Sequence, residues 1–211
     1  MSRRPRVRVK ICGVRDADEA WAAVDAGADA IGFHFVEGRP TSIDPVEAYE
    51  IMADLPPFVS SVGVVENCAI DDFSDIEEDC PTALSQLDGI ENPKLVMQCG
   101  PGVIKRVRWA EHPAIGESED ADPISTWDEL DEVDAILVVP ESAWTNAAID
   151  RLAGRVQSCA KPILLGGWTA DSFEPKHLRD AIARVQPFAV DLVLSEGDPD
   201  DVIERFIEAV R

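Results

Sequence analysis

Apolar and polar residues alternate with two periods along this chain, and the periods trade places at fairly even spacing. Val7, Val9 and Ile11 alternate with Arg8 and Lys10, the pattern of a short strand, and Gly13 breaks it after Cys12. Asp16 to Trp21 then opens a helix-like segment. Further strand-like runs follow at Ala30–Phe35, Phe58–Val65, Thr82–Leu87, Gly102–Arg108, Ala135–Val139, Pro162–Leu165 and Phe188–Leu194. The run at 135–139 is apolar throughout, as a parallel strand covered on both faces should be. Between these runs the pattern predicts helices at Pro45–Leu55, Ile70–Glu78, Asn146–Gln157, Pro175–Val185 and Asp200–Val210, with short helical turns at Lys94–Gln98 and Trp127–Leu130. Asp44 supplies a cap and Pro45 a first helical position.

Eight strands alternating with helices over 211 residues predict an α/β chain folded as a single (β/α)8 TIM barrel, one domain over 1–211. The second architecture compatible with this order is a doubly wound open sheet. The glycine fingerprint that would support it is missing after the first strand. In a barrel the chemistry belongs at the carboxyl ends of the strands, which puts Cys12 at the mouth.

Composition narrows the function. The net charge of −22 argues against binding a nucleic-acid backbone, which needs a basic surface. No apolar run approaches the length of a membrane span, so no membrane partner and a cytoplasmic location are expected. Five widely spread cysteines without a Cys-x-x-Cys pair suggest reduced thiols and neither a zinc site nor a disulfide framework. Only five of the nineteen basic residues are lysine. An acidic, lysine-poor surface fits either adaptation to high salt or simple heavy solvation. Glu111–Asp122, rich in Glu, Asp, Ser, Gly and Pro, reads as a mobile acidic loop.

Lys10-Ile11-Cys12-Gly13, followed by Asp25-Ala26-Gly27-Ala28-Asp29-Ala30-Ile31-Gly32-Phe33, resembles the opening of phosphoribosylanthranilate isomerases. Those tryptophan-pathway enzymes are (β/α)8 barrels. The resemblance implies a phosphosugar substrate, N-(5-phosphoribosyl)anthranilate, rearranged to the carboxyphenylamino-deoxyribulose phosphate with no metal or organic cofactor. That reaction needs an acid to open the furanose ring and a base to take the proton from sugar C2. Cys12 stands at the family's catalytic base. A thiolate serves there if its surroundings lower its pKa, and Lys10 would help if it faces the same side. Gly166-Gly167 matches the family's phosphate-binding Gly-Gly, and Asp191 is retained in the last strand, with Ser195 in the loop after it.

Several positions depart from the family pattern. Val139 stands where the acid should be; Glu141, two residues on, is the candidate substitute. The family's Ser-Gly cradle after the last strand is replaced around Ser195-Glu196-Gly197. The family's substrate-facing Arg aligns with Thr41, leaving Arg39 as the candidate contact for the anthranilate carboxylate. Asp88 replaces a His in Gln86-Leu87-Asp88-Gly89, and His34 is an additional polar group near the mouth. Trp168 is a candidate wall of the phosphate or aromatic subsite. These departures sustain a rival reading: a paralogue that kept the barrel and lost the isomerase site, serving as a ligand-binding protein or acting on another substrate.

Overall fold

The computed structural model describes residues 6–111, 122–198 and 201–211. Eight strands form one closed parallel barrel in sequence order: β1 (Arg8–Cys12), β2 (Ala30–His34), β3 (Ser60–Val65), β4 (Leu84–Leu87), β5 (Val103–Trp109), β6 (Val133–Pro140), β7 (Ile163–Trp168) and β8 (Ala189–Val193). Closure is explicit in the pairing, because β1 pairs with β2 through Ile11 and Ile31 and with β8 through Ile11 and Leu192. That closure excludes the open doubly wound sheet. The helices are α1 (Ala17–Ala26), α2 (Pro45–Ala53), α3 (Ile70–Asp79), α4 (Pro93–Val96), α5 (Ser125–Asp128), α6 (Asn146–Val156), α7 (Pro175–Val185) and α8 (Val202–Val210). The acidic stretch expected over 111–122 lies, apart from its two end residues, outside the described residues.

Local chemistry starts and stops these helices. The Asp16 carboxylate accepts from the Glu19 amide at 2.8 Å, and Gly27 ends α1 at φ 101°, a left-handed cap open to glycine at little cost. Asp44 caps α2 with Pro45 in its first turn, and Thr145 accepts from the Ala148 amide to start α6.

Two apolar layers result from the two periodicities. Val9, Ile11, Ile31, Phe33, Ile136, Val138, Val190 and Leu192 point outward and meet the helices, including Phe206 of α8 and Leu152 of α6. Cys12, Val62, Val64, Ile104, Leu137, Val139 and Leu164 point inward and fill the barrel. A cavity of about 290 Å³ remains at the amino-terminal floor, where Ala30, Ser60, Ala135 and Ala189 are too small to close it.

Candidate active site at the barrel mouth

The inward face of each strand carries a definite set of side chains to the mouth. Alternation along β1 places Lys10 and Cys12 on the same interior face. Gly32 of β2 makes room for them, since a Cβ there would sit 2.6 Å from Cys12 Sγ and 3.2 Å from Lys10 Cε. Lys10 Nζ donates to Asp191 Oδ1 of β8 at 2.7 Å, and both side chains are only 2% exposed. Burial alone would lower the Lys10 pKa, but the Asp191 carboxylate overrides burial and holds the ammonium above the ordinary lysine range. Asp191 therefore lies beneath the mouth, committed to Lys10.

Cys12 sits 3.2 Å from His34 Nε2, and His34 Nδ1 is 2.6 Å from Thr41 Oγ1. Thr41 is thus the side-chain partner of His34. Burial, with the charges of Lys10 and Arg39, pushes the imidazole down to about 3, so it is neutral. Lys10 does face the thiol and does lower its pKa, as the alternation allows. Burial outweighs it, helped by the charges of Asp191 and Asp88, and pushes Cys12 up to about 12. The condition for a resting thiolate is not met: Cys12 rests as a thiol.

The departures take definite places. Val139 is buried among Leu137, Leu164 and Cys12 inside the barrel, and a Cβ on Gly166 would come 3.1 Å from its methyl group. Glu141 lies beyond Pro140 with an exposed side chain, its amide donating to the Trp109 carbonyl at 3.1 Å. The charges that act on Cys12 are instead those of Lys10, Asp191 and Asp88. Arg39 reaches the mouth from the loop after β2. There it is half-buried, donating to Glu66 at 2.6 Å and to Asp88 Oδ2 at 3.4 Å. Arg106 of β5 adds a donation to the Asp88 carbonyl at 3.3 Å.

The carboxyl end of β7 and the loop after β8 frame the opposite side. Gly167 has φ +88°, and a Cβ there would sit 2.4 Å from Pro140 Cδ, so backbone shape and close packing both require glycine. The Gly166 carbonyl accepts from Trp144 Nε1 at 2.8 Å. Trp168, expected as a possible wall of the site, is instead stacked on Trp144 at 6.1 Å and packs against Phe206 in the outer layer. The Ser195 amide donates to Asp198 Oδ2 at 2.8 Å, and Glu196 is exposed. Ser195, Gly197 and Asp198 line a cavity of about 340 Å³ with Arg15 and Glu19.

Sequence reasoning passed over the residues that fix Asp88. Lys105 of β5 is fully buried outside the barrel wall. Its Nζ donates to the carbonyls of Leu87 at 3.0 Å and Gly89 at 2.8 Å, either side of Asp88, and to Glu91 at 2.8 Å. Glu91 in turn accepts from the Asn67 and Gly89 amides. The available signal was a lysine directly after the apolar pair Val103-Ile104 and before Arg106, at an outward strand position. Among the described residues no group of three or more His, Cys, Asp or Glu side chains is gathered as a metal site.

This architecture defines a (β/α)8-barrel protein whose candidate active site centres on a buried thiol at the carboxyl end of its first strand. Comparison with known proteins refines that class. The family profile described as N-(5'phosphoribosyl)anthranilate (PRA) isomerase matches residues 9–173. The N-(5'-phosphoribosyl)anthranilate isomerase of Acidithiobacillus ferrooxidans is 34% identical, covering 98% of each chain. That of Pseudomonas fluorescens is 36% identical, covering 97% of this chain and 98% of its own. Among solved structures, the phosphoribosyl anthranilate isomerase of Thermus thermophilus superposes with a TM-score of 0.78 at 26% identity, covering 97% of this chain and 98% of its own. A phosphoribosyl anthranilate isomerase complexed with reduced 1-(o-carboxyphenylamino)-1-deoxyribulose 5-phosphate gives 0.76 at 28% identity, covering the same shares. The chain belongs to the phosphoribosylanthranilate isomerase family.

Proposed function

We propose that the protein catalyses the family's Amadori rearrangement of N-(5-phosphoribosyl)anthranilate in the cytoplasm, without metal or cofactor, and that Cys12 supplies both the acid and the base. The observation that carries this reading is the place of Cys12: a buried thiol at the carboxyl end of β1, on the same interior face as the Lys10 ammonium and 3.2 Å from the Nε2 of a neutral His34. A resting thiol has a proton to give, which is what the ring-opening step requires when Val139 has none. As the amine nitrogen expels the ring oxygen, that oxygen takes the Cys12 proton, leaving an iminium ion and a thiolate. The nearby Lys10 ammonium stabilises the thiolate. The thiolate then removes the C2 proton; its bonding pair becomes the C1–C2 double bond and the iminium returns to amine. Protonation of C1 by the thiol and loss of the O2 proton to the thiolate give the ketone and restore Cys12.

Gly166 and Gly167 hold the phosphate through close backbone approach, the Ser195 amide joins them by exchanging Asp198, Arg39 meets the anthranilate carboxylate by exchanging Glu66, and Asp191 acts through Lys10. The test is turnover of freshly made phosphoribosylanthranilate by purified protein. Cys12→Ala should abolish it, and Glu141→Gln should leave it within about twofold; a loss of about 10²-fold in Glu141→Gln would move the acid role there. The rival, a binding protein without turnover, is favoured by Val139 and by the engagement of Arg39. It would be established by folded protein that binds the reduced product and turns over nothing.

A further inference from the structure

Gln86 of β4 faces the barrel interior and is 2% exposed. Its Nε2 donates to Asp88 Oδ1 at 2.7 Å. Among the described residues, its Oε1 is the buried side-chain atom left without a hydrogen-bond partner. Such an orphan lowers stability, and in a site it marks a partner that arrives with the ligand. The amide cannot relieve it by turning over, because Oε1 would then face the Asp88 carboxylate, acceptor against acceptor. Asp88 therefore locks an unmet acceptor inside the barrel, two residues before the carboxylate that also holds Arg39.

The geometry points to Gln86 as a substrate-binding residue whose Oε1 accepts the N–H of the substrate's secondary amine, with Asp88 as the residue that positions it. This rests on the isomerase reading above. In a closed eight-stranded barrel β4 lies opposite β8. A phosphate held at the end of β7 and the loop after β8 sends the other end of a pentose, the nitrogen on C1, across the mouth toward β4. The Asp88 carboxylate also spaces two recognition groups. Gln86 binds one oxygen and Arg39 the other, at 2.7 and 3.4 Å. An acceptor and a guanidinium held on one carboxylate match an amine N–H and a carboxylate on adjacent ring carbons, the ortho arrangement of anthranilate.

The experiment measures affinity of the wild type and Gln86→Met for reduced 1-(o-carboxyphenylamino)-1-deoxyribulose 5-phosphate and for its N-methyl derivative, with thermal midpoints of the free proteins. Methionine keeps the bulk and removes the acceptor together with the donor to Asp88, and the N-methyl probe separates the two losses. Gln86→Met should bind the N–H probe at least tenfold more weakly and bind the N-methyl probe as the wild type does. Equal affinity of both proteins for the N–H probe, or the same loss on both probes, overturns the assignment while the isomerase reading stands. A lower midpoint with unchanged affinity makes Gln86 structural and also overturns it. A wild type that binds neither probe removes the isomerase reading and this assignment with it.

Discussion

Lys10→Met tests how the buried ion pair under the mouth is held. Lys10 Nζ and Asp191 Oδ1 are 2.7 Å apart and both side chains are 2% exposed, so solvent screening is slight. At that separation, with an effective dielectric near 20, Coulomb's law gives an attraction of about 6 kcal/mol. Desolvation of both ions offsets most of it, so the pair's net worth against an apolar pair is small. Removing one partner is different, because it strands the other charge inside the barrel. Each of Lys10→Met and Asp191→Leu should therefore lower unfolding free energy by about 3–5 kcal/mol, while the double variant should lie near wild type or above it. Urea unfolding of the four proteins measures this directly. Additive losses in the double variant would refute the argument, since two independent packing defects would add and a stranded charge would not.

Other consequences follow from the same interior. His34 is neutral when folded, pushed from 6.5 to about 3, so its contribution is complete above about pH 6.5 and lost as pH falls toward 3. By linkage it should cost up to about 5 kcal/mol across that window, and His34→Gln should flatten the acid limb of the stability profile. Gly32→Ala would press a methyl to 2.6 Å from Cys12 Sγ, so unfolding should show a loss of about 1–3 kcal/mol, an overpacking penalty. Mass spectrometry after limited alkylation in native buffer should find Cys68 and Cys159, both partly exposed, modified well before buried Cys12. The reverse order would mean that Cys12 is an accessible thiolate. With a net charge of −22, the thermal midpoint should rise from low to high salt as surface repulsion is screened; an unchanged midpoint removes the salt-adaptation reading.

The sequence by itself determined the order of strands and helices and which strand residues share a face, whereas closure into a barrel came from the pairing of β1 with β8. Alternating or fully apolar runs marked the eight strands, Asp44 with Pro45 after it marked a helix start, and period two marked which residues share a face. Local physics suffices for this, because each signal acts over a few neighbouring residues. Cys12 and Gly166-Gly167 were legible for the same reason, as short motifs at strand ends. The tertiary structure alone decided the state of the site. The pairing of Lys10 with Asp191 spans 181 positions, and that of Lys105 with Glu91 ties β5 to the loop after β4. Burial, which overrules Lys10 and keeps Cys12 a thiol, exists only once the barrel closes. The orientation of Gln86 is set by Asp88 only two residues away, yet its unmet acceptor becomes visible only when the interior is assembled around it. Pattern is written along the chain, whereas desolvation and charge pairing depend on what folding brings near.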